Sequence, residues 1–266
     1  MEIINWSLFL LPYAQAVDEL KLKFSNLRRD FITAEQHSPI EHVEGRVKRV
    51  GAILNKARSK GIGYDQISEN IEDIAGIRII CRFVEDIDKV VEMICARDGV
   101  DLHIKESHDY ITNTKPSGYR SYHFNIAYPI VTADGPISIT AEIQIRTMAM
   151  DFWATIEHSL KYKYSGNLPR GLQERLINAA EASFMLDQEM GHIREEIVAA
   201  DEAIHLHNDL VDQILKNVAK LHFKTEFEEA NDFNRQFMEI YSENNLERLK
   251  DFNKQLKTIA RLYSVE

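Results

Sequence analysis

Three stretches of the chain are rich in β-branched and apolar residues, and they mark out a sheet. IAGIRIICRFV (74–84), YHFNIAYPIV (122–131) and ISITAEIQIRT (137–147) predict strands. TADGP, between the last two, carries Asp134-Gly135 and predicts a hairpin. A shorter strand is expected within VDLHIKESHDYI (100–111), and EDIDKVVEMICARDG (85–99) has helical period with a Gly stop. Residues 1–36 read as an amphipathic helix with Leu8, Leu11 and Val17 toward the core. Ser38 and Pro39 suit the start of a second helix, which Val47, Val50, Ile53 and Leu54 carry to about Ile62, with Gly45 and Gly51 as weak points. IGYDQISENIED (62–73) connects it to the first strand with one helical turn. After Thr147 the strand pattern stops. MAMDFWATIEHSLKYKY is helical, SGNLP breaks it, residues 171 to about 203 form one long helix, and 206–266 are again helical and highly charged. This order predicts an α/β or α+β fold with a mixed sheet flanked by helices.

Composition changes that picture only at the margins. Hydrophobic content of 44% and charged content of 28% suit a globular protein. No apolar run reaches the roughly 18 residues of a membrane span. The N-terminus lacks the cationic start and small-residue cleavage site of a signal peptide. Cys81 and Cys95 sit in apolar periodic segments and read as buried thiols, so a cytoplasmic protein is expected. A formal net charge of -10 argues against a general nucleic-acid binder, DNA included, yet permits a local cationic pocket.

Four groups of residues carry candidate chemistry. Along AEIQIRT, Glu142, Gln144 and Arg146 share one strand face, while Ile143 and Ile145 share the other. His123 and Asn125 share a face of their strand, as do Arg78 and Arg82 of theirs. Together they suit one polar cleft, although a solvent-facing sheet surface gives the same alternation. Asp73 stands just before a strand, where its carboxylate suits a metal or simply a helix-terminal surface acid. Arg46, Lys48, Lys56 and Arg58 follow Gly45 and form either a phosphate clamp or a solvated basic face. In KPSGYRSYH (115–123), Lys115 and Arg120 suit phosphate, Tyr119 suits base stacking, and Gly118 permits a turn, which is equally an ordinary Pro-Ser-Gly turn. There is no P-loop, no G-x-S-x-G, no H-E-x-x-H and no paired C-x-x-C.

GRVK, EDIAGIRI, SGYRSYH and EIQIRT…FWATIEHSLKYKY occur in an order and spacing that resemble the synthetase domain of RelA/SpoT homologues. They are most similar to the stand-alone small alarmone synthetases of the RelQ type, over about residues 5–195. The resemblance implies transfer of pyrophosphate from ATP to the 3′-hydroxyl of GDP or GTP, with GMP a further candidate acceptor, giving AMP and ppGpp or pppGpp. It implies a nucleotidyltransferase-like fold, Mg²⁺, and a homotetramer built through C-terminal helices. Carried over by motif, Glu142 is the catalytic base or a metal-linked acid and Asp73 the Mg²⁺ ligand. Arg46 and Arg78 sandwich adenine, and Lys48 and Lys56 hold the ATP phosphates. Tyr119 stacks on guanine, with Lys115, His123 and Gln144 near the acceptor. The expected organisation is a synthetase domain over residues 1–200 and a helical extension over 201–266 that packs as an extra layer or makes an oligomer contact.

The chain departs from that pattern at Ala52, where relatives often have Ser, and at His108, where close relatives carry Arg. Lys21 and Glu41 match an allosteric cleft of some relatives, but Ser25 and His42 replace an expected Lys and Phe. Activation by that route is not expected. With a short helical lead before GRVK, the hydrolase domain of the long family members and its degrading activity are not expected. Competing expectations are pyrophosphate transfer to the 3′ end of tRNA, a non-catalytic RNA-binding regulator on the same fold, and a nucleotidyltransferase moving AMP. The net charge does not support RNA binding, both key acids are present, and the paired aspartates after Gly-Ser of the last class are missing.

Overall fold

A computed structural model describes residues 5–163, 169–222, 227–243 and 245–262. The chain divides into two compact units, residues 1–191 and 192–266. The first is built on a five-stranded sheet of order β1-β2-β5-β4-β3. Its strands are β1 (His42–Val47), β2 (Ala75–Cys81), β3 (His103–Asp109), β4 (Tyr122–Thr132) and β5 (Gly135–Thr147). β2 and β5 are parallel and the other neighbours antiparallel, so the sheet is mixed, as expected. The β4–β5 hairpin closes with Thr132 opposite Gly135, which places the two-residue turn at Ala133-Asp134.

One face of the sheet is apolar. Ile77, Ile79, Phe124, Ile126, Ile143 and Ile145 line it, beneath α1 (Trp6–Thr33) and α4 (Val84–Cys95). The buried side of α1 is Tyr13, Ala16, Val17, Leu20 and Phe24, at the three- and four-residue spacing of one helical stripe. Leu8 and Leu11, expected in the core with Val17, are 66% and 64% exposed. At 100° per residue Leu8 stands on the opposite side of the helix from Val17.

The helix expected from Ser38 to Ile62 is instead β1 followed by α2 (Val50–Lys60). Ser38 makes a local turn, its Oγ accepting from Ile40 N at 3.2 Å, and caps nothing. The deciding residue is Gly45. A Cβ there would lie 2.6 Å from Val17 Cγ1, so only glycine lets β1 run this close beneath α1. The connection to β2 holds a 3₁₀ turn (Tyr64–Gln66) and α3 (Ile67–Asn70).

α5 (Met148–Lys163) follows β5 directly. Thr147 caps it, its Oγ1 accepting from Met150 N at 3.1 Å. Most of the expected SGNLP break lies outside the described residues. α6 runs unbroken from Arg170 to His222, past the expected end near 203, because neither Gly nor Pro interrupts IHLHNDL. The second unit comprises α6 from His192 onward with α7 (Phe227–Ser242) and α8 (Leu246–Leu262). Its own core is Leu210, Ile214, Val218, Leu221, Phe237, Leu249, Phe252, Leu256 and Ala260. Asn253, buried in this unit, is satisfied by Asn217 at 2.9 Å and Gln213 at 3.2 Å.

Candidate active site

The second face of the sheet is polar, and strand register decides what meets on it. Glu44, Arg78, Gln144, His123 and His108 stand side by side across all five strands. The adjacent row is Arg46, Gly76, Glu142, Asn125 and Glu106. Alternation along each strand therefore brings six sequence-separated candidates onto one surface. Gly76 leaves a gap in its row, and the Arg46 side chain lies over it: a Cβ at Gly76 would sit 3.5 Å from Arg46 Cγ.

Asp73 precedes β2 and lies between two cations. Lys48, just past β1, pairs with its Oδ2, and Lys56 of α2 reaches its Oδ1 at 2.8 Å. Burial pushes the Asp73 carboxyl upward, but the two lysines outweigh it and hold it below the usual carboxylate range. Asp73 Oδ1 is buried, and the Lys56 ammonium is its charged contact. Glu142 interacts electrostatically with Asp73 from the neighbouring strand. The motif resemblance implies a divalent metal ion. No group of three or more metal-ligating side chains stands ready among the described residues. Two carboxylates, Asp73 and Glu142, beside Lys48 and Lys56 fit a hard cation that completes its shell with water and ligand oxygens.

Glu142 is tightly oriented. His123 Nδ1 lies 3.2 Å from its Oε1, and Gln144 Nε2 donates to its Oε2 at 2.6 Å. Burial pushes Glu142 up, yet these donors hold it below the ordinary range and ionised. Burial lowers His123, assisted by the Arg146 and Lys115 charges, against the pull of Glu142. A neutral His123 that donates from Nδ1 accepts at Nε2, and Tyr119 Oη stands there at 2.8 Å.

The KPSGYRSYH loop is pinned at both ends. Tyr110 N donates to Ser121 O at 3.0 Å, and Gly118 N donates to Lys115 O at 2.8 Å. Gly118 has φ +84°, and a Cβ there would lie 2.6 Å from Ala180 Cβ on α6. Tyr110, Tyr119 and His123 form an aromatic cluster with ring centroids 5.1 to 6.2 Å apart. Lys115 Nζ lies over it, 3.9 Å from the Tyr110 ring and 5.0 Å from that of Tyr119.

Two polar expectations are corrected. Arg120 does not face this surface. It turns under the loop to Glu181 at 2.8 Å and stacks over Phe184, because successive residues point to opposite sides. Arg82 lies beyond the end of β2, half exposed, and pairs with Glu41 at 2.5 Å. Sequence reasoning also left out Tyr110 and Asp151, which no motif marks. Arg146 was visible on the candidate strand face with Glu142 and Gln144, but with no role of its own. It is 4% exposed and bonded on all sides.

Such a face suits an enzyme that handles polyphosphates, and comparison with known proteins narrows the class. Residues 45–167 match the family model described as the region found in RelA / SpoT proteins. The chain is 51% identical over 203 residues to GTP pyrophosphokinase YjbM of Bacillus subtilis (strain 168), covering 76% of this chain and 95% of that protein. With GTP pyrophosphokinase YwaC of the same strain it is 42% identical over 195 residues, covering 73% and 92%. The crystal structure of small alarmone synthetase 1 from Bacillus subtilis bound to its product pppGpp matches with a TM-score of 0.70. Identity there is 52%, over 73% of this chain and 98% of that one. The chain belongs to the RelA/SpoT family, and its close homologues are small alarmone synthetases. No helix among the described residues is long and apolar enough to cross a membrane.

Proposed function

We propose that the chain is a (p)ppGpp synthetase that moves the pyrophosphate of ATP to the 3′-hydroxyl of GDP or GTP. The observation that carries this reading is Glu142. It is ionised, held by two donors, and set between the Asp73–lysine group and the aromatic loop. On the donor side, Arg46 and Arg78 enclose adenine over the open floor at Gly76. Lys48 and Lys56 leave Asp73 to neutralise the triphosphate. On the acceptor side, the Tyr119 ring stacks on guanine, and Lys115, His123 and Gln144 border the nucleotide. Glu142 takes the proton of the 3′-hydroxyl as its oxygen attacks the β-phosphorus. The bond from that phosphorus to the α–β bridging oxygen breaks, and AMP leaves with the electron pair. Mg²⁺, held by Asp73 and Glu142, supplies charge neutralisation on the phosphates when bound.

The enzyme is cytoplasmic and works as a homotetramer. Apolar side chains left exposed along α6 support self-association: Ile193, Ile197 and Ile204 are 39%, 64% and 58% exposed. Mass measurement of the full chain and of one lacking residues 206–266 tests this, and a monomeric full chain rejects it. The activity is tested by incubating the protein with labelled ATP, Mg²⁺ and, in turn, GMP, GDP, GTP and tRNA, then resolving the products. Labelled guanosine tetra- or pentaphosphate is expected. Product on tRNA alone, or none, overturns the reading.

A further inference from the structure

Arg146 is almost fully buried, and a guanidinium can only donate hydrogen bonds. Its Nε meets Ser121 Oγ at 3.3 Å, its Nη1 meets Asp151 Oδ1 at 3.0 Å, and its Nη2 serves both Tyr119 Oη and Gln144 Oε1, the latter at 2.6 Å. With four of its five N–H groups engaged by the protein, this cation is not placed to bind a substrate phosphate. Two chains of hydrogen bonds leave Nη2, and both end on Glu142. One passes through the Gln144 amide to Oε2. The other passes through the Tyr119 hydroxyl and the His123 ring to Oε1.

Direction follows from the donor-only end. Arg146 donates to Tyr119 Oη, which leaves the phenol proton to turn to His123 Nε2. An Nε2 that accepts it puts the ring proton on Nδ1, pointing at Glu142. Because Arg146 donates to Gln144 Oε1, the amide cannot flip, and its NH₂ points at Glu142 as well. We propose that Arg146 is a positioning residue that sets the proton direction of this closed ring and so holds both Glu142 oxygens as acceptors. Asp151 anchors it from behind and extends the ring toward Arg78, whose Nη1 lies 3.6 Å from the same carboxylate oxygen. The inference deepens the synthetase reading, and its catalytic consequence rests on Glu142 being the base.

The test is the ring tautomer of His123, read by ¹⁵N–¹H correlation of histidine-labelled full-length protein and assigned by loss of its signals in His123→Asn. The expected result is an Nδ1–H tautomer in the native chain. It should mix with Nε2–H in Arg146→Met and in Tyr119→Phe, and persist in Arg146→Lys, which still donates. If Arg146→Met does not fold, Tyr119→Phe alone carries the test, since it removes one hydroxyl. An Nε2–H tautomer in the native chain overturns the proposal, as does a tautomer unmoved in both Arg146→Met and Tyr119→Phe. In parallel, kcat of Arg146→Met should fall by about 10- to 100-fold with KM for ATP little changed, the range for groups that orient a catalytic side chain. A native chain that makes no guanosine product sinks the synthetase reading but leaves the tautomer result to decide this one.

Discussion

Asp187 of α6 is a carboxylate buried for no catalytic purpose, and its ionisation should weaken the fold at neutral pH. It is 5% exposed and accepts from Thr147 Oγ1 at 2.5 Å, the same hydroxyl that caps α5. Burial pushes its carboxyl up, the Thr147 bond opposes this, and the Glu85 charge on α4 adds to the rise, for a value of about 6 against an ordinary 3.8. At 1.36 kcal/mol per pH unit that difference is about 3 kcal/mol. The sign follows from which form the fold prefers. Between pH 4 and 6 the folded chain keeps a proton that the unfolded chain has released, so stability falls as pH rises through this window. Above it the full penalty applies. Asp187→Asn keeps an acceptor for Thr147 and removes the charge. The variant should therefore gain about 2–3 kcal/mol on the native chain between pH 4 and pH 7.5. Urea unfolding followed by tryptophan fluorescence measures this in the right place, because both tryptophans, Trp6 and Trp153, lie in the first unit. A stability difference between the two proteins that is the same at both pH values refutes the reasoning.

Other predictions concern the site. Glu142→Gln should lower turnover by at least about 100-fold, in line with loss of a general base, and a near-native rate would remove Glu142 from that role. Tyr119→Ala should mainly raise KM for the guanine nucleotide; an unchanged KM argues against stacking. Gly118→Ala combines a positive φ with a 2.6 Å approach to Ala180 Cβ. It should destabilise the first unit by about 2–4 kcal/mol and weaken acceptor binding. Thermal unfolding at the native Tm would contradict this.

Much of the site was legible because strand alternation is a local rule. Glu142, Gln144 and Arg146 had to share a face once AEIQIRT was a strand, and His123 with Asn125 likewise. Where a periodic pattern was read without its partner, it failed. HVEGRV looked helical as part of a longer run; pairing with β2 makes it a strand, and Gly45 lets it lie close beneath α1. Arg120 and Arg82 looked as suitable for a ligand as Lys115, since exposure and direction at a strand end depend on what packs there. Asp151 carries no motif and gained its place when α5 turned back from β5 and set it between Arg78 and Arg146.

The sequence by itself determined the strands, the alternation of their faces, the family motifs and the two acids on which the proposed chemistry rests, because each depends on neighbours within a few residues. Tertiary structure alone decided the register, which set Arg78, Gln144 and His123 in one row although they come from three strands. It also decided the ring from Arg146 to Glu142, since the direction of a hydrogen bond exists only between groups that the fold has already brought together.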